Sequence, residues 1–175
     1  VVKNLQIYSK NKSINKANLH KLISFLINNL DFKIDSLYIN FISGNSILEV
    51  NREFLHHDYS TDVLTFNYSR PSRLRLAEAG PSRLRLAEAG PSRHRLAEAG
   101  SAKSLDAEIL ISIEDAETNS AKYGVSFNEE ILRLVIHGIL HLLGYNDINS
   151  EEKLEMKRIE DKLFIQYKNF LLKNR

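Results

Sequence analysis

The sequence predicts an α+β fold: a single compact, mixed β-sheet of about four strands with about five helices, and a metal site on a central helix. Three observations carry that expectation. Short segments of alternating apolar residues recur between segments whose apolar residues repeat every three or four positions. The order of strands and helices is mixed rather than strictly alternating. One helical segment near residues 127–143 is apolar almost all round, which marks a buried helix rather than a surface one.

The elements follow from local chemistry. Residues 5–9 alternate as a strand. Asn15 caps a helix over 16–30, whose Leu19, Leu22, Ile23, Leu26, Ile27 and Leu30 make an apolar stripe. Leu37, Ile39 and Phe41 mark a strand over 35–42, and Ile47, Leu48, Val50 and Phe54 support a helix over 46–56. Strands are expected at 62–68 and 105–112. A polar helix over 113–123 stops at Gly124, since glycine accepts the left-handed conformation that ends a helix. The central helix covers 127–143, with Asn128, Glu129 and Glu130 favouring the positive end of its dipole. A last helix over 150–172 opens with Asn149 and Glu152 at capping-box spacing and turns Leu154, Ile159, Leu163, Tyr167 and Phe170 toward the body.

Residues 71–100 interrupt this pattern. They are three tandem decamers, PSRLRLAEAG, PSRLRLAEAG and PSRHRLAEAG, which differ only at Leu74, Leu84 and His94. A ten-residue period fits no solenoid repeat, and a Gly-Pro junction breaks any helical turn. The segment contains no Lys, Asn, Ile, Phe or Tyr, residues abundant elsewhere in the chain, which suggests an expanded DNA repeat or an engineered insertion. Residues 1–175 therefore read as a single domain interrupted by a solvated loop between two strands. His94 is assigned no metal role.

The insertion also sets the apparent charge. Its six Arg and three Glu contribute +3 against a whole-chain formal charge of +2, so the remainder carries −1. The basic balance is thus no argument for nucleic-acid binding. A hydrophobic content of 43% with 26% charged residues is ordinary for a soluble globular protein. There is no cysteine, which excludes disulfides and thiolate metal sites. No apolar run reaches the length of a membrane span, and the N-terminus reads as a short mixed strand rather than a secretory signal. A cytoplasmic location is expected.

The chemistry concentrates in His137-Gly138-Ile139-Leu140-His141-Leu142-Leu143-Gly144-Tyr145-Asn146-Asp147. Histidines four apart stack on one face of a helix and can close on one ion. Gly144 stops the helix, and the chain can turn back to offer Asp147 as a third ligand. The spacing parallels the long zinc-protease signature H-E-x-x-H-x-x-G-x-x-H, with two changes. Gly138 stands where the proteases have their general base, so a peptidase would keep its metal and lose its catalyst. Asp147 replaces the last histidine, and two His plus one carboxylate leave the open position that a catalytic zinc requires. The same residues also admit a plainer reading, as two hydrogen-bonded core histidines and a turn aspartate.

HGILHLLGYND is similar to the HGxLHLxGYDH signature of the YbeY-type rRNA-maturation endoribonucleases. Asp58-Tyr59-Ser60-Thr61-Asp62-Val63-Leu64-Thr65-Phe66 resembles that family's D-x-P-T-D-V-L-S-F strand, and Ala107-Glu108-Ile109-Leu110-Ile111-Ser112 its G-D-I-x-I-S strand. Apart from residues 70–100 the resemblance covers nearly the whole chain. Departures are Asp147 for the family's third histidine, Leu55 for an arginine, Ser60 for proline, and Ala107-Glu108 for Gly-Asp. The resemblance implies one divalent ion, Zn²⁺, on His137, His141 and Asp147. It implies hydrolysis of single-stranded rRNA at the 3′ end of the small-subunit RNA, with the small ribosomal subunit as partner and neither DNA nor membrane. It places His57 and Asp62 in the cleft as catalytic candidates, beside plainer roles as a surface histidine and a strand-end hydrogen bond. A ribosome-associated factor with a purely structural metal stays open, as does a metallopeptidase.

Overall fold

A computed structural model describes residues 2–55, 61–68 and 103–173. The repeat at 71–100 and His57 lie outside the described residues.

The described chain forms a four-stranded sheet and five α-helices, the mixed α+β architecture the sequence implies. β1 (Leu5–Tyr8) leads through α1 (Lys16–Leu30) to β2 (Phe32–Ile42). α2 (Gly44–Val50) runs into a single π-helical turn, Asn51–Leu55. β3 (Val63–Asn67), β4 (Lys103–Ser112), α3 (Ile113–Tyr123), α4 (Phe127–Leu143) and α5 (Ser150–Lys173) complete the order. The strands lie side by side as β1-β2-β4-β3. β1, β2 and β4 run parallel, and β3 pairs antiparallel to β4 with Thr65 opposite Ile109. The two strands that flank the repeat are therefore paired neighbours.

Strand alternation sorts the core onto two faces. Leu37, Ile39, Leu105, Ile109 and Ile111 are fully buried in one large cluster with Leu22, Ile23 and Leu26 of α1, Val135, Ile136, Ile139 and Leu140 of α4, and Tyr167 of α5. On the other face Phe66 and Leu110 pack under Ile47 of α2 in a smaller cluster. α4 packs against α3, α5, β3 and β4, the central position expected of it.

Several expectations shift in detail. β2 begins three residues early, at Phe32, and accommodates the extra length with a register irregularity between Ile34 and Ser36. The helix expected over 46–56 starts at Gly44, where the Ser43 hydroxyl accepts from the Ser46 N–H, and widens into the π turn at Asn51. α4 is capped by Ser126: its hydroxyl accepts from the Glu129 N–H at 3.2 Å while the Glu129 carboxylate accepts from the Ser126 N–H at 3.0 Å. On α5, Asn149 accepts from the Glu151 and Glu152 N–H groups. The buried stripe of α5 is Met156, Leu163, Phe164 and Tyr167, with Ile159 partly buried, whereas Leu154 is 63% and Phe170 40% exposed. Leu154 lies two residues from Met156, about 200° round the helix, so the two cannot share a face.

Candidate metal centre and adjoining cleft

The termination of α4 builds the site. Gly144 adopts φ of 101°, its N–H donates to the His141 carbonyl, and the Tyr145 N–H donates to the Leu140 carbonyl at 3.0 Å. This is a Schellman turn, which satisfies carbonyls that the helix end leaves free. Reversing the chain there aims the Tyr145 carbonyl back at His141, whose Nδ1 lies 3.1 Å away. Lys103 Nζ and Asn67 Nδ2 both donate to the Leu142 carbonyl, at 2.7 and 3.4 Å, and tie this end of the helix to β4 and β3.

His137 is held from a different element. Its Nδ1 lies 3.1 Å from Glu160 Oε2 on α5, and the other oxygen of Glu160 accepts from Arg133 Nη1 at 3.3 Å. Arg133 also donates to Asp161 at 2.8 Å and lies 4.2 Å from the ring centroid of Phe164. Glu160 is thus a carboxylate fixed between a guanidinium and an imidazole.

These contacts fix both tautomers. A carbonyl and a carboxylate can only accept, so each Nδ1 carries a hydrogen and, in the neutral ring, each Nε2 presents a lone pair. The two Nε2 atoms face each other at 3.0 Å, and Asp147 Oδ1 lies 3.9 Å from that of His141. Two lone pairs at that distance repel unless a proton or a cation stands between them. The three ligand atoms lie within 4.8 Å of one another, so His137, His141 and Asp147 can hold a metal ion. An acceptor behind each ligand histidine is what metal sites use to orient the ring and raise its basicity.

Electrostatics follow the same pattern. Burial works against charge on His137, but the Glu160 hydrogen bond and charge, together with the charges of Asp147 and Asp62, outweigh it and raise the pKa. Burial and the neighbouring His137 lower that of His141. Of this pair, His137 therefore takes the first proton.

Gly138 lies beneath the two histidines, against the sheet. A Cβ there would stand 3.1 and 3.2 Å from the Cγ2 and Cδ1 of Ile109 and 3.4 Å from Thr65 Cγ2. The position at which the zinc proteases carry their glutamate is therefore packed against the sheet, with no room for a longer side chain.

His137 also lines an open cleft of about 440 Å³, together with Asp62, Asn119, Tyr123, Glu130, Arg133 and Glu160. Asp62 stands at the head of β3: its carbonyl accepts from the Ser112 N–H at 2.9 Å, and its Oδ2 from Asn119 Nδ2 at 3.1 Å. Glu130 is buried, and burial followed by the nearby Asp62 charge pushes its pKa up. The structure thus brings His137, His141 and Asp147 together and sets Asp62 beside them in the cleft.

Sequence spacing missed Glu160, which lies 23 residues from its partner on another helix. One signal was available. Met156, Glu160, Leu163 and Tyr167 share one helical face, and a carboxylate on a buried stripe needs a partner.

The profile of the family described as Endoribonuclease YbeY matches residues 4–168. The chain belongs to this family. A YbeY endoribonuclease of Chlorobaculum parvum is 32% identical over 158 residues, covering 90% of either chain. One of Chlorobium phaeobacteroides is 31% identical over 157 residues, covering 89% of each. The fold is that of a solution structure from Thermotoga maritima, with a TM-score of 0.53, 24% identity, and coverage of 97% of this chain and 93% of that one. Membership of the YbeY family supports a nuclease role. Among the described residues no helix is long and apolar enough to cross a membrane.

Proposed function

We propose that this chain is a zinc-dependent endoribonuclease that cuts single-stranded rRNA in the cytoplasm during maturation of the small-subunit 3′ end, with the small ribosomal subunit as its partner. The observation that carries the metal-dependent reading is the convergence of the two Nε2 atoms, 3.0 Å apart, with Asp147 within 4.8 Å, each imidazole already anchored through its Nδ1. The rRNA substrate comes from the family.

His137, His141 and Asp147 would hold the ion, and their donor set of two imidazoles and a carboxylate suits zinc with a coordination position left open. A bound Zn²⁺ supplies Lewis acidity toward water and a phosphoryl oxygen. Glu160 and the Tyr145 carbonyl keep the imidazoles oriented. Asp62 is assigned to proton handling at the substrate: Asn119 engages Oδ2, which leaves Oδ1 for a water or a hydroxyl. A structural zinc is usually closed by four protein ligands, and three are grouped among the described residues. A peptidase reading is disfavoured by the contacts at Gly138.

The test compares the protein with its His141→Ala variant on a single-stranded RNA from the small-subunit 3′ region, with zinc content measured in parallel. Cuts made by the parent and lost in the variant are expected. No difference between the two, with zinc still on the parent, would leave a binding factor as the better description.

A further inference from the structure

The cleft beside His137 has an ordered wall that metal binding does not use. Arg133 is held by Glu160 and Asp161, and the exposed Lys157 lies 3.8 Å from Asp161. Carboxylates outnumber these cations, since Asp62, Glu130 and Glu160 all line the space. A phosphate entering away from the metal would meet repulsion, so the cleft suits a neutral ligand that brings hydrogen-bond donors.

Asn119 and Tyr123 supply the remaining features. A carboxylate cannot donate, so the Asn119 amide must turn its nitrogen to Asp62, and its Oδ1 is left as an acceptor. One helical turn along α3, Tyr123 ends the helix at the cleft with 63% of its surface exposed. Gly124, with φ of 65°, turns the chain away just after it. Lys122 Nζ lies 5.3 Å from the Tyr123 ring centroid. An exposed aromatic ring with a fixed acceptor one turn away can stack a planar heterocycle and take a hydrogen bond from its edge.

We infer that this cleft is a nucleobase subsite, in which Tyr123 stacks a base of the RNA next to the scissile phosphate and Asn119 Oδ1 accepts from an N–H on its edge. The inference rests on the nuclease reading only for the identity of the polymer. Bases with adjacent N–H donors suit the acceptor-rich wall, and guanine presents two such donors side by side.

The experiment titrates the zinc-loaded full chain with guanosine, which has a base and no phosphate, followed by ligand-observed NMR. Tyr123→Ala is expected to bind guanosine roughly tenfold more weakly, and Tyr123→Phe as well as the parent, because stacking needs the ring and not the hydroxyl. Inorganic phosphate is expected not to displace it. Equal binding by Tyr123→Ala, displacement by phosphate, or no binding of guanosine would each overturn the subsite. RNA cleavage by the same proteins separates this from the nuclease reading. Guanosine binding that depends on Tyr123 in a chain that cuts no RNA keeps the subsite and sinks the nuclease. RNA cutting with the same KM in parent and Tyr123→Ala does the reverse.

Discussion

Replacing Gly138 with alanine tests whether the close approach of α4 to the sheet sets the geometry of the metal centre. The added methyl would meet Ile109 at 3.1 and 3.2 Å and Thr65 at 3.4 Å, tighter than ordinary packing. Ile109 is fully buried and β-branched, so it has little room to turn aside. Overpacking of this kind costs roughly 1–3 kcal/mol. The glycine-to-alanine change returns about 1 kcal/mol of helix propensity. The net expectation is a loss of about 1 kcal/mol, which for a urea dependence of ~2 kcal/mol per molar moves the midpoint down by ~0.5 M. Because a helix displaced from the sheet at Gly138 would carry its neighbours His137 and His141 with it, zinc affinity should fall as well. Urea unfolding of the metal-free protein and zinc titration by chelator competition measure the two effects. A Gly138→Ala variant as stable as the parent, with unchanged zinc affinity, would refute the claim that this contact fixes the helix.

Four further outcomes are expected. Glu160→Gln should weaken zinc binding on the order of 10–100-fold, the usual cost of losing a partner behind a ligand histidine; chelator competition checks it. The same pair sets the pH dependence. Because Glu160 raises the pKa of His137 above its ordinary 6.5, protons compete with metal from a higher pH than usual, and zinc affinity falls as pH drops through that raised value. Without metal, the pair stabilises the fold fully below the ordinary imidazole pKa and loses that contribution as pH rises through the raised one, a reversal that melts at several pH values with and without zinc would display. Ser126→Ala should cost ~1 kcal/mol in chemical unfolding through loss of the α4 cap. Deleting residues 71–100 should leave folding and zinc binding intact, because β3 and β4 are antiparallel neighbours and a longer connection costs only about 0.6 kcal/mol per doubling. Loss of soluble, zinc-binding protein on deletion would count against treating the repeat as a passenger.

The elements that sequence located best were those whose signals are local. α1 and α4 fall at their expected bounds because the apolar stripe, the cap and the stop residue all lie within the helix or beside it. The same holds for His137, His141 and Asp147, which one helix and its terminating turn bring together. What could not be read depends on contacts between distant segments. The bulge in β2 answers to the register of β4, and the exposure of Leu154 depends on where α5 first meets the body. Asn119 and Tyr123 take their places from the packing of α3 on α4, which no spacing records, and Glu160 takes its place from the packing of α5, which its position on a buried stripe only hints at.

The reversal after Leu143 has a kinetic consequence. His137 and His141 sit on the last turns of α4 and Asp147 lies beyond the stop at Gly144, so an ion held by all three would join the helix to the chain that leaves it. Such an ion would act as a crossbar across a helix end, where fraying is ordinarily fastest. Its residence time would then be limited by the opening of that terminal turn. The Tyr145 N–H bond to Leu140 serves as the latch, and slowed hydrogen exchange at the Tyr145 amide would report the crossbar in place.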